Sequence, residues 1–412
     1  MLPAADAPAS PAAAPMSPVA GRVAFRVVFV WAALACLPWP LALVPGGGRV
    51  VDVVRGPWDA LVVAFGQHVL GIARPIVRIP GDSTFGWTQL GFEILIAAIA
   101  AAVWSAVSRR AAHPRLDAAL RLYLRWFVAA AMLGYGVPKV FGLQFPHPTL
   151  ARLAERVGDN SPMGLLWTFM GASLSYQVFC GAAEVLGGVL LLWRRTTTLG
   201  ALIVAAAMAN VVMLNLCYDV PAKIFSTQLL LTAVWLAAPD NVRLFDLLVR
   251  RRAPSAPTDA PPPWPSRWSG VVSAAGFVLL VLIIVQNVRI VVSIRQGATP
   301  ASTLIGAWRV ESATGVDWEH VVIGYYRETA IVRVRHPNDA EERIGADIDD
   351  AHRTLTLTTA DGKRVMSWWV VDPDHLSLES AAMSLRLRRL PEPTWLLYSR
   401  GFHLVTEAPF NR

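Results

Sequence analysis

The sequence predicts an α-helical membrane protein with about seven transmembrane helices, followed by a small C-terminal antiparallel β domain that is barrel-like. Three observations carry this reading. Hydrophobic residues make up 54% of the 412-residue chain and charged residues only 16%, with a mean hydropathy of +0.45. Several apolar runs approach the roughly 20 residues needed to cross a hydrocarbon core. Beyond residue 300 the pattern changes to short alternating segments spaced at roughly 8–12 residues, as in an all-β domain.

The net charge of +8 comes almost entirely from arginine, since lysine occurs only at Lys139, Lys223 and Lys363. The arginines gather in a few loops. Their distribution therefore reads as membrane topology, and no nucleic-acid partner follows from it.

Residues 1–21 are Ala/Pro-rich and aperiodic, which predicts a disordered leader. The region 22–107 holds two N-terminal spans. The first apolar run, Val23–Val44, follows Arg22 and is not followed by a clean small-x-small cleavage site. The piece Trp58–Ala73, with Gln67 and His68, is mildly amphipathic and is expected at the interface on the far side. A second span, Phe85–Val107, carries Glu93 near its outer end. The segment 108–125 contains Arg109, Arg110, Arg115, Arg121 and Arg125 and is assigned to the cytoplasm.

A third span is Ala118–Val140. The loop 141–172 has nearly balanced charge and is expected outside. Spans four to six are Tyr176–Trp193, Leu199–Leu216 and Ile224–Ala238, followed by Arg243, Arg250, Arg251 and Arg252 at the cytoplasmic side. Residues 253–267 form a proline-rich linker. A seventh span, Trp268–Val292, crosses outward. The alternation of arginine-rich and arginine-poor loops places the N-terminus in the cytoplasm and residues 300–412 outside it.

In that C-terminal segment the strings GAWRVESA, HVVIGYY, TAIVRVR, RTLTLTT, MSWWVV and MSLRLRR read as strands, with a hairpin signal at Asp361-Gly362. Gly306-x-Trp308 resembles the start of a lipocalin strand. No acid/base or nucleophile constellation stands out there, so the domain reads as an accessory or binding module. Cys36, Cys180 and Cys217 form no C-x-x-C pair and no metal-ligand spacing, so no metal site is expected.

Polar side chains inside apolar runs carry the functional reading, because ionisable groups in a bilayer are costly and tend to face a bundle interior or cavity. The candidates for a periplasmic-side polar pocket are Tyr135, Lys139, Glu184, Asn210, Asn215, Tyr218, Asp219 and Lys223, with Glu93 and Gln228 as secondary members. Tyr135 and Lys139 are four apart and share a helix face. Glu184 lies between Gly181 and Gly188 on a face that permits close helix approach, and its natural partner is one of the two lysines. Structural roles compete with this reading. A Lys–Glu pair fixes register, Asn210 and Asn215 serve as interhelical hydrogen-bonding groups, and Asp219 caps the helix after Pro221.

The strings GYGVPKVFGLQFP (134–146), GDNSPMGLLWTFMG (158–171), GAAEVLGGVLLLWRRTTTLGAL (181–202) and NLCYDVPAKIFS (215–226) resemble the DoxX-like family of bacterial integral membrane proteins. The closing GFHLVTEAPFNR (401–412) has the look of its long members, which append a C-terminal segment. The resemblance implies a four-helix membrane bundle over 118–247 in the bacterial inner membrane, related to subunits that work with thiosulfate:quinone oxidoreductases. It also implies a link to quinone or thiol redox chemistry, with quinone as the candidate cofactor and the lipid bilayer and membrane proteins as partners. The family supplies no catalytic motif to carry over. The alternative is a non-enzymatic scaffold or assembly factor whose β domain binds a partner or lipid. A small-solute transporter ranks third, because no inverted repeat or proton-relay chain is visible.

Overall fold

The structure is a computed structural model describing residues 18–108, 113–153, 155–253, 266–296, 302–326, 329–359, 362–390 and 397. The leader up to residue 17, most of the 253–267 linker, Asp361 of the hairpin signal and the 401–412 motif lie outside the described residues.

In chain order the helices are α1 (Pro18–Ala35), α2 (Gly47–His68), α3 (Thr84–Val107), α4 (Pro114–Val140), α5 (Leu150–Leu153), α6 (Pro162–Ala172), α7 (Leu174–Leu191), α8 (Thr197–Cys217), α9 (Lys223–Ala237), α10 (Asn241–Leu248) and α11 (Ser269–Gln296). The strands are β1 (Gly306–Thr314), β2 (His320–Tyr326), β3 (Thr329–Arg335), β4 (Glu341–Asp349), β5 (Thr354–Thr359), β6 (Gly362–Asp372), β7 (His375–Glu379) and β8 (Ser384–Arg389). The chain divides into two compact units. One comprises residues 1–137 and 182–289, and the other 138–181 and 290–412.

Among the described residues, four helical segments are long and apolar enough to cross a membrane: Thr84–Val107, Leu174–Leu191, Arg194–Cys217 and Ser269–Ser293. Their mean hydropathies run from 1.5 to 2.4. These four make the chain a membrane protein. About seven were expected from sequence, and two of the other expected spans differ for identifiable reasons. α9 is only 15 residues long, about 22 Å at the helical rise. α4 carries Arg115, Asp117, Arg121 and Arg125 in its first half. The expected interfacial segment also differs in extent: its helix is α2, starting eleven positions earlier at Gly47 and running through Pro57.

In the helical unit, α1, α4, α8 and α9 share a core that includes Ala32, Leu124, Met132, Val204, Met208, Leu229 and Ala233. Glycines set the closest approaches. A Cβ on Gly188 would lie 3.0 Å from Met132 Cβ and 3.1 Å from the Ala129 carbonyl, so α7 meets α4 backbone to backbone. Arg26 is only 3% exposed. Its guanidinium donates to Ser105 Oγ at 2.7 Å and to the Ser108 carbonyl at 2.9 Å, and lies 5.4 Å from the Trp104 ring centroid. A charge buried between α1 and α3 is thus accommodated by hydrogen bonds at both ends of its fork.

In the other unit, β1 to β8 form a closed antiparallel barrel in sequence order, with β8 pairing back onto β1. The antiparallel β expectation is met, with two additional strands. β4 (EERIGADID) shows little apolar alternation because it buries chiefly Ile344, while β7 (HLSLE) alternates but is only five residues long. Inward-facing Val321, Ile323, Val332, Leu355, Leu357, Met366, Leu376, Leu378 and Leu387 fill the interior, as expected for a barrel of eight strands. Trp308 plugs one end. Its indole donates to the Leu304 carbonyl at 3.0 Å, and the Arg389 guanidinium lies 4.3 Å over its ring while donating to the Thr303 and Ile305 carbonyls. β2 and β3 are apolar on both faces because α5 packs against them outside. Ala307, Val322 and Ile331 form a second, outer cluster there.

Candidate functional site

The string NLCYDVPAKIFS forms the turn between α8 and α9. The Tyr218 N–H closes α8 on the Leu214 carbonyl at 2.9 Å, and Asp219 then takes a left-handed conformation at φ +50°. This geometry is more accessible to Asp than to most side chains. The first N–H groups of α9 have no helical acceptor. They are satisfied by a residue 141 positions away: Asp82 accepts from Lys223 N at 2.6 Å and from Ile224 N at 2.9 Å. A carboxylate at a helix N-terminus also complements the helix dipole. Gly81, at φ +92°, makes the approach possible, since a Cβ there would lie 2.3 Å from the Pro221 carbonyl oxygen.

Lys223 Nζ sits 2.9 Å from Asp219 Oδ1 and 3.8 Å from Asp82 Oδ2, and donates to the Val220 carbonyl at 3.2 Å. Its carboxylate partners among the described residues are therefore Asp219 and Asp82. Asp219 contributes through this ion pair and the turn, and the capping role belongs to Asp82. Asn215, 6% exposed, donates to Ser226 Oγ at 3.0 Å and to the Ala222 carbonyl at 3.3 Å, tying the end of α8 to the first turn of α9.

Beside this turn lies a cleft of about 270 Å³ within the helical unit, bounded by the 78–93 stretch and the start of α9. Glu93 and Gln228 both line it. Glu93 is 3% exposed on an otherwise apolar helix and accepts from Gln89 Nε2 at 2.8 Å. Arg78 is held at the cleft by Asp59, 2.6 Å away, and by the Phe85 ring. Phe225 contributes an aromatic wall, and the Tyr135 ring centroid lies 6.1 Å from that of Phe225. The cleft thus offers amide donors, carboxyl acceptors, a guanidinium and two phenyl rings.

Glu184 is buried within electrostatic reach of Tyr135. Lys139 is buried and belongs to the barrel-containing unit. Tyr218 is a half-buried helix cap, and Asn210 is exposed. Sequence reasoning missed Asp82, Gln89, Arg78, Phe225 and Ser226. The Pro80-Gly81-Asp82-Ser83 turn before α3 was the available signal for Asp82. The three cysteines form no disulfide, and among the described residues no group of three or more His, Cys, Asp or Glu could hold a metal ion.

No family model matches the chain, and no solved structure matches it. Among curated proteins it is similar to one described as uncharacterized protein YwoB, from Bacillus subtilis (strain 168). The two are 34% identical over 133 residues, which is 32% of this chain and 82% of YwoB. The chain belongs to the family of YwoB.

Proposed function

We propose that the protein is a DoxX-like component of the bacterial inner membrane that binds the head group of an isoprenoid quinone in the cleft beside the α8–α9 turn. In this reading the cleft and the barrel lie on the periplasmic side. The carrying observation is Glu93, a buried carboxyl on an apolar helix, hydrogen-bonded to Gln89 and lining an open cleft together with Gln228 and Phe225. A quinone ring presents carbonyl oxygens that accept from amide N–H groups, and its reduced form presents hydroxyls that donate to a carboxylate. The flat ring matches phenyl walls, and the isoprenoid tail is soluble in the lipid around α3.

The test is to purify the full chain in a mild detergent and quantify co-purifying quinones by mass spectrometry against an unrelated membrane protein prepared in the same way. The expected result is near-stoichiometric quinone in the wild type, with about a tenfold loss in Glu93→Gln and in Gln228→Leu. Quinone at the control level in the wild type overturns the reading. So does an unchanged content in both variants.

A further inference from the structure

The barrel-containing unit has a cleft of its own that the quinone reading does not use. The segment from Gln144 to Thr168 runs along the outer face of β2 and β3 and encloses about 370 Å³. Met163, Trp167 and Ile331 supply apolar wall, while Arg152, Glu155 and Arg333 supply charge. Glu155 Oε2 accepts from Arg152 Nη1 at 2.6 Å and lies 3.3 Å from Arg333 Nη2, so two guanidinium forks converge on one oxygen. All three side chains are mostly buried, at 16%, 13% and 11% exposure for Arg152, Glu155 and Arg333.

The carboxylates of this cluster are shared between arginines. Arg333 also faces Glu341 at 3.8 Å, but Glu341 is shared with Arg335 at 3.3 Å and Arg156 at 3.4 Å, and Arg156 turns to Asp339 as well. Glu155 and Glu341 thus each serve more than one guanidinium group, and Arg152 also donates to Asn160 Oδ1 at 2.7 Å. Guanidinium keeps its charge and its fork of donors whatever shares the cleft. The first turn of α6 adds to the same field. A Cβ on Gly164 would lie 3.0 Å from Arg152 Nη1, so the glycine lets that guanidinium lie over the N-terminal end of α6, which itself favours an anion.

We infer that this cleft takes a phosphate group, carried by a lipid headgroup or present as free phosphate, held by Arg152 and Arg333 above the start of α6. Arginine forks match tetrahedral oxyanions with paired hydrogen bonds. The apolar wall of Trp167, Met163 and Ile331 gives the lipid form an additional contact. Glu155 holds the forks in place and at the same time repels a second anion. Its neutralisation strengthens binding, an effect opposite to that of removing an arginine.

The test uses the full chain in a neutral detergent with three probes: short-chain phosphatidylglycerol, short-chain phosphatidylcholine and inorganic phosphate. Affinities are read by native mass spectrometry or calorimetry. The expected result is at least tenfold tighter binding of phosphatidylglycerol than of phosphatidylcholine, a tenfold loss in Arg333→Gln and tighter binding in Glu155→Gln. Weakening of phosphatidylglycerol alone in Trp167→Ala identifies the lipid form. Inorganic phosphate that binds as well as the lipid, unaffected by Trp167→Ala, identifies the free anion. Equal affinity for all three probes overturns the inference, as does unchanged binding in Arg333→Gln. If Arg333→Gln fails to fold, Glu155→Gln decides, and binding equal to or weaker than wild type overturns it.

Discussion

The barrel and the helical unit arrange polarity in opposite directions. The barrel buries aliphatic and aromatic side chains inside a closed sheet and presents arginines, threonines and carboxylates outside. The helical unit exposes Trp87, Ile94, Ile99 and Val103 along α3 and Phe277, Val281, Ile284 and Val288 along α11, while Arg26, Glu93, Glu184 and Asn215 are buried. Water is the solvent for the first pattern and hydrocarbon for the second, where backbone groups must be satisfied within each helix and polar side chains face inward. The consequence is functional. In the barrel the interior is solid and the candidate chemistry lies on its outer wall; in the helical unit it lies within.

The sharpest break of this contrast is a cavity in the barrel core. Trp308→Ala removes an end plug, its hydrogen bond to Leu304 and the platform under Arg389. A loss of about 3–5 kcal/mol of barrel stability is expected, read by chemical denaturation of the full chain followed through near-ultraviolet circular dichroism. A change below about 1 kcal/mol would show that the interior is not the source of barrel stability.

The helical unit answers to overpacking. Gly188→Val pushes a side chain into Met132 and the Ala129 carbonyl and is expected to cost about 1–3 kcal/mol, measured by thermal unfolding in detergent. Gly134, which has nothing within 4 Å of an added Cβ, is the control. Gly134→Ala is expected to be neutral or to stabilise by up to about 1 kcal/mol.

A smaller effect tests the long-range cap. Asp82→Ala removes the acceptor for two N–H groups of α9 and is expected to cost about 0.5–2 kcal/mol. Hydrogen exchange localised to Lys223 and Ile224 checks it, and unchanged protection there would remove Asp82 from its capping role.

The smallest expected effect is a pH dependence in the barrel. Burial holds the His320 imidazole below its ordinary value; nearby Glu319 opposes this, and Arg309 and Arg335 add to it. The unfolded chain therefore binds the proton more readily. This contribution is fully present above about pH 6.5 and is lost as the pH falls toward the lowered folded value. His320→Gln should flatten barrel stability in that window, as read by denaturation at pH 7.5 and 5.5.

Much of this architecture is legible in residue pattern. Helix positions follow apolar runs, as with α3 and α11, and six of the eight strands stand out as short β-type segments. What escaped has physical causes. β4 has little apolar signal because its outer face carries charge. β2 and β3, apolar on both faces, signalled a cover on the barrel wall, but nothing local names α5 as that cover. Within NLCYDVPAKIFS, the turn at Asp219 is a local property, whereas the cap comes from Asp82, and a pairing across 141 residues leaves no periodicity to read. Glu93 stood out as a charge in a greasy helix; Gln89 and Phe225, ordinary by themselves, became informative only as neighbours.

The proposal to test is that the helical unit holds a quinone head group between α3 and the start of α9. Photolabelling of membranes with an azidoquinone, followed by peptide mapping, tests it most directly. Label is expected within residues 78–93 and 222–228, displaced by excess unlabelled quinone and reduced by Glu93→Gln. Label confined to other segments, or label that excess quinone does not displace, contradicts it.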